Sequence, residues 1–139
     1  MGTAAADATL ELLADGQVLA RIAAQGEKLQ AGISEVLADS GISHHIKGPG
    51  AMFGIMFMED EAWEFRDVRH HNAALYEAIA MELVARGVIP DPDGREPWFL
   101  CAAHDDTAIQ ETLEILAEAV HAVKDTGLLE AAPAADAAE

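Results

Sequence analysis

The sequence predicts an α+β fold in which a small antiparallel sheet is covered by helices. Three observations point there. Apolar residues recur at helical spacing near the start, the middle and the end of the chain. Between those stretches lie short apolar runs bounded by glycine and proline, as turn-linked strands are. The chain has 139 residues, of which 51% are hydrophobic, so it suits a single core.

The elements follow in order. Ala4 to Leu13 is rich in alanine and leucine and favours helix, and Asp15-Gly16 breaks or kinks it. From Gln17 to Ala38, Val18, Ile22, Leu29, Ile33, Val36 and Leu37 share one helical face, with Arg21, Glu27, Lys28 and Glu35 off it. Gly26 and Gly32 each weaken this helix by about 1 kcal/mol relative to alanine, so tertiary packing must hold it. Ser40-Gly41 closes it, with glycine where a left-handed cap costs little. His44 to Lys47 predicts a short strand, and Gly48-Pro49-Gly50 a turn.

Ala51 to Met58 is continuously apolar, as expected of a strand covered on both faces. Gly54 in its middle marks a bulge or a close approach. A charged connector, "EDEAWEFRDVRHH", leads to a helix over 72–86 with a Leu75, Ile79, Leu83 stripe, ended by Gly87. Val88-Ile89-Pro90 predicts a short strand, "PDPDG" a loop, and Trp98 to Cys101 the last strand. Asp105 or Asp106 caps the final helix, whose apolar stripe is Ile109, Leu113, Leu116 and Val120, with Lys124 at its C-terminal end. Residues 1–125 are expected to form one domain, with the helical stretch 4–38 leading in, and 126–139 a flexible tail.

A formal net charge of -17 and a pI near 4.4 argue against nucleic acid and anionic membrane surfaces as partners. One cysteine, Cys101, excludes an internal disulfide, and its apolar flanks suggest a small buried hydrophobe. "MGTAAADATLELL" lacks the basic segment of a signal peptide, and no run is apolar and long enough to span a bilayer, so a cytoplasmic location is expected.

Four features bear on chemistry. His44-His45 and His70-His71 are adjacent pairs, not the i, i+4 spacing that aligns two ligands on a helix, so a metal site is not expected. His104 beside Asp105 and Asp106 invites a general-base reading. Helix capping already accounts for acidic residues there, and a structural seam is the better reading. "GPG" leads into a strand and is no phosphate loop. Arg95, one of eight basic residues, sits beside Glu96 in a loop feeding a core strand. It is either a clamp for a substrate carboxylate or half of a surface ion pair.

Taken together, "GPGAMFGIMF", "ALYEAIAMELVARGV" and "PWFLCAAHDDTAIQETLEIL" resemble the C-terminal small domain of class III pyridoxal-phosphate (PLP) aminotransferases, with the glutamate-1-semialdehyde 2,1-aminomutase subgroup nearest. That family has a "G-x-G-S-M-F-G" strand, a helix ending "ERGV", and "F-x-S-x-A-H-T" before the last helix. Here these are Gly48 to Gly54, Ala85 to Val88, and Phe99 to Asp105, with Ala51 in place of serine and Asp105 in place of threonine. The resemblance runs from about residue 5 to 124.

It implies the small domain of a fold-type I PLP enzyme, with the cofactor lysine in a larger preceding domain. Lys28, Lys47 and Lys124 do not match that lysine, so no catalytic or cofactor-binding residue carries over. The resemblance also implies PLP only in an assembled enzyme, an amino acid or amino-keto acid as substrate, and Arg95 facing it. The partner would be a large-domain chain or a second copy. The alternative is a non-catalytic interaction module or a truncated remnant of such an enzyme.

Overall fold

The structure, a computed structural model, describes residues 2–129. Helix α1 spans Gly2–Leu13 and α2 spans Gln17–Asp39, with Gly16 turning between them at φ 71°. Strands β1 (His45–Lys47) and β2 (Met52–Met56) form a hairpin around the Gly48 to Gly50 turn. A 3₁₀ helix over Phe65–His70 leads into α3 (Ala73–Ala85). Strand β3 (Trp98–Phe99) precedes α4 (Asp106–Val123), which runs into a 3₁₀ turn over Lys124–Thr126. The sheet is antiparallel throughout, in the order β1-β2-β3. This is the α+β layering that the sequence predicts, and no helix among the described residues is long and apolar enough to cross a membrane.

The core lies on one face of the sheet. Phe53, Ile55 and Trp98 point into it and cluster with Leu29, Ile33 and Leu37 of α2, Ile79 and Leu83 of α3, and Leu116 and Val120 of α4. The Phe53 and Trp98 rings stack with centroids 6.1 Å apart. Trp98 Nε1 donates to the Tyr76 hydroxyl at 2.9 Å, so the indole N–H is not left unpaired in the interior.

The glycines of α2 owe their place to this packing. A Cβ on Gly26 would stand 1.7 Å from the Gly50 carbonyl oxygen, and one on Gly32 would stand 2.4 Å from Leu113. The helix therefore crosses the hairpin turn with backbone against backbone, which offsets its low local propensity.

Several expectations need correction. Strand β2 is not covered on both faces: Phe53 and Ile55 are buried, whereas Met52 is exposed and Gly54 and Met56 are half-buried. The run looks continuous in sequence because Phe57 and Met58, buried beyond the strand end, extend the apolar stretch. Gly54 marks neither a bulge nor a close approach. Its register with Lys47 is regular, and nothing among the described residues lies within 4 Å of its would-be Cβ.

Val88–Pro90 is not a strand. Gly87 at φ 98° turns the chain, Val88 N–H bonds back to the Leu83 carbonyl, and Pro90 has no N–H to offer a ladder. The last strand stops at Phe99, because Cys101 and His104 close a turn instead. Cys101 is exposed, not buried, for the same reason. Of the expected tail, Leu128 and Leu129 pack against the core, and Asn72 Nδ2 donates to the Leu128 carbonyl at 2.9 Å. Residues 130–139 lie outside the described residues.

Candidate functional site: two clefts beside the 86–97 loop

The loop between α3 and β3 separates two clefts. One, of about 680 Å³, is bounded by Arg86, Ile89, Phe99, His104 and Glu111 among others. The other, of about 960 Å³, lies between the 3₁₀ helix, the first turn of α3 and the Asp93 to Arg95 bend. Arg66, Arg69 and Arg95 line the second. No lysine lines either.

Arg95 sits on the second cleft's rim, with its guanidinium held by Asp93. Nε reaches both carboxylate oxygens at 2.9 and 3.0 Å, and Nη2 reaches one at 2.5 Å. Asp93 Oδ1 also accepts the Arg95 backbone N–H at 3.0 Å. These bonds, the Arg95 side chain's above all, lower the Asp93 carboxyl to about pKa 2. An ion pair is therefore present, but with Asp93 rather than with neighbouring Glu96. The i, i+2 spacing in "DGR" was the available signal.

Behind this pair lies His71, the buried histidine. Its Nδ1 accepts the Phe57 backbone N–H at 2.9 Å, which places the ring proton on Nε2. Nε2 is buried and has no hydrogen-bond partner among the described residues. Gly94 packs against it, where a Cβ would stand 2.3 Å from Nε2. Burial pushes the His71 pKa below its ordinary value, and nearby Asp93 opposes that shift. Nothing in the adjacent pair "HH" separates His71 from exposed His70, whose Nε2 accepts from Arg69 Nε at 3.1 Å.

His104 forms no catalytic pair with the aspartates that follow it. Its Nδ1 accepts the Cys101 backbone N–H at 2.9 Å, pinning the turn after β3. Asp105 Oδ1 caps α4 through the Ala108 N–H at 3.0 Å. Asp106 faces α2, where Lys28 at 2.6 Å and Gln25 at 3.0 Å hold it and lower its pKa, the Lys28 bond most. "AAHDD" is thus a structural seam, the better of the two sequence readings.

His44 and His45 are spoken for separately, and His121 is exposed on the last turns of α4. His44 Nδ1 donates to the Ile42 carbonyl, leaving Nε2 to accept from Ser34 Oγ, both at 2.8 Å. His45 Nε2 donates to the Glu59 carbonyl at 2.9 Å. Among the described residues, no three His, Cys, Asp or Glu side chains converge as metal ligands.

A PLP group would need a lysine for covalent attachment and a partner for its ring nitrogen. Lys28 is committed to Asp106. Lys47 pairs with Glu61 at 3.0 Å, donates to the Ala62 carbonyl, and lies 4.6 Å over the Trp63 ring. Lys124 ends α4 at the surface. These positions do not fit a cofactor-bearing lysine.

No protein-family model matches the chain. Its sequence is 34% identical over 121 residues to a glutamate-1-semialdehyde 2,1-aminomutase of Thermus thermophilus, spanning 86% of this chain and 28% of that protein. Identity to the enzyme of the same name from Aquifex aeolicus is 30% over 112 residues, or 81% and 26% of the two chains. Among solved structures, the PLP internal aldimine form of the FumI protein from Sphingopyxis sp. MTA144 superposes with a TM-score of 0.72 at 26% identity. That match covers 90% of this chain and 27% of the other. An omega-transaminase from Sphaerobacter thermophilus shares the fold with a TM-score of 0.65 at 22% identity, over 73% and 23%. The chain therefore spans about a quarter of the length of the relatives it matches. In sequence and in fold, it is a relative of the C-terminal part of the glutamate-1-semialdehyde 2,1-aminomutases, within the PLP-dependent aminotransferase and aminomutase family.

Proposed function

We propose that this chain is the small-domain portion of a class III PLP-dependent aminotransferase or aminomutase, and that it completes an active site together with a large-domain chain in the cytoplasm. One observation carries the reading. Over four-fifths of the chain aligns with enzymes about three times its length, while its three lysines sit on the surface away from both clefts. On this reading the cofactor, its lysine and the chemistry at the amino carbon belong to the larger part. This chain contributes shape and charge around an amino acid or amino-keto acid. It is inactive by itself.

Arg95 is the residue proposed to face substrate. Its fork already grips a carboxylate, that of Asp93. A substrate carboxylate would exchange with Asp93 for the same planar donors.

The test is to recover the chain from its native cell, measure the intact masses of whatever accompanies it, and record the absorbance of bound PLP. A larger partner with PLP on one of its lysines is expected. Recovery of the chain alone and colourless overturns the catalytic reading. In the assembled enzyme, Arg95→Ala should raise the KM for the amino substrate, and an unchanged KM removes that role.

A non-catalytic interaction module is the second reading. It is favoured by the bare outer face of the sheet, where Met52 and Phe99 stand in register and are 45% and 67% exposed. Helix α1, which buries no side chain, adds to it.

A further inference from the structure

Three of the eight cationic side chains line one cleft of a protein with 25 acidic residues. On so acidic a surface an arginine readily finds a carboxylate, yet Arg66 makes no hydrogen bond or ion pair among the described residues. Arg69 reaches the ring nitrogen of His70 and no carboxylate.

The two are held side by side. In a 3₁₀ helix residues three apart eclipse one another, so Arg66 and Arg69 rise from the same edge of the Phe65–His70 segment. That segment is anchored at its start. Asp67 Oδ2 accepts the Trp63 and Glu64 backbone N–H groups at 2.8 and 3.0 Å, and the Glu64 side chain answers as the other half of a capping box. The spare cations thus project from a fixed backbone.

The cleft floor adds positive potential of another kind. Ala73 and Ala74 open the 13-residue helix α3 and line the cleft. They bring a helix N-terminus to it, where Asn72 Oδ1 caps the Leu75 N–H at 3.1 Å and the Ala73 N–H donates to the His71 carbonyl, so what the cleft receives is the positive end of the helix dipole. In the wall, His71 keeps a ring N–H that is buried and unpaired. Phe65, 80% exposed at the rim, offers an apolar platform. Asp93 and Glu77 are the opposing charges, and Asp93 is already spent on Arg95.

We propose that this cleft binds a small organic polyanion, gripped by Arg66 and Arg69 over the α3 N-terminus, with Arg95 kept on Asp93 at the far rim so that the Asp93 charge stays neutralised. The shared chemistry is two or more oxyanion charges on a compact molecule, either a phosphate ester or a polycarboxylate. Such groups suit guanidinium forks better than a single carboxylate does. The site goes beyond the aminotransferase reading, since it requires neither the cofactor nor a second chain.

The test is calorimetric titration of the chain at low ionic strength with inorganic phosphate and, separately, with citrate, alongside backbone amide shifts by NMR. One saturable site is expected, with the amides of Ala73 and Ala74 among those that move. Phosphate preference identifies a phosphate ester as the ligand class, and citrate preference a polycarboxylate. Arg66→Gln/Arg69→Gln should weaken binding by about tenfold or more, because two charge-assisted contacts are lost. Arg21→Gln/Lys124→Gln, the same change in charge placed elsewhere, should leave it unaltered. Arg66→Gln alone, at an exposed side chain without partners, guards against a folding artefact and should weaken binding in the same direction. Heats that do not saturate with either anion overturn the proposal, as does equal weakening by the two double variants.

Discussion

Gly26 of α2 and Gly50 of the hairpin turn touch through their backbones, with room for a side chain on neither. A Cβ on Gly26 would fall 1.7 Å from the Gly50 carbonyl oxygen, and one on Gly50 would fall 2.3 Å from the carbonyl oxygen of Ala23. The contact fixes where the first long helix crosses the sheet.

Gly26→Ala therefore destabilises the fold despite improving helix propensity. The obstacle is backbone on both sides, so no side chain can swing away to relieve it. A loss of about 1–3 kcal/mol is expected, in the range of overpacking and against a propensity gain of about 1 kcal/mol. Ala31→Gly, at an exposed position of the same helix, supplies the propensity scale by itself. Urea midpoints measure both. A Gly26→Ala variant as stable as the wild type would mean that the helix does not ride on the turn.

Stability should fall as the solution is acidified, in two windows. The folded state holds the His71 pKa below its ordinary 6.5 by burial. As pH drops through 6.5 the unfolded chain gains a proton that the folded chain refuses, and stability is lost until the folded pKa is passed. Asp93, lowered from 3.8 to about 2 chiefly by its Arg95 bonds, adds a second loss as pH falls from 3.8 towards 2. Urea midpoints at pH 8, 6.5 and 5 should decline in the wild type. His71→Gln should lower the midpoint at pH 8 and flatten the decline above pH 5. An unchanged slope would show that other histidines carry it.

The two aspartates at the α4 start should behave unequally. Asp105→Ala removes the side-chain acceptor of the Ala108 N–H, a cap whose loss costs about 1 kcal/mol. Asp106→Ala breaks only solvent-exposed contacts to Lys28 and Gln25, and a much smaller change in thermal midpoint is expected. Equal effects would contradict the assignment of Asp105 as the cap.

The helices were legible because their signals are local. The stripe from Leu29 to Leu37, the Gly41 and Gly87 terminators and the Asp105 cap each act within a turn or two of their position. The sheet was less legible. Whether Met52 and Phe99 face core or solvent depends on which side the helices cover, and only the three-dimensional assembly decides that. Arg95 was recognisable as an unusual cation, and its loop position holds. The rest of its surroundings was hidden. His71 and Gly94 lie far apart in sequence yet in contact, and Arg66 and Arg69 join them only because a charged connector winds into a 3₁₀ helix.

Helix α1 is apolar in composition yet buries none of its side chains, with Leu10 and Leu12 about two-thirds exposed or more. A helix of that length is marginal in water unless a packed face supports it. The chain therefore has two tiers of cohesion. From α2 onward the residues melt together, whereas the amides of the first three turns open on their own and exchange with solvent while the rest stays closed.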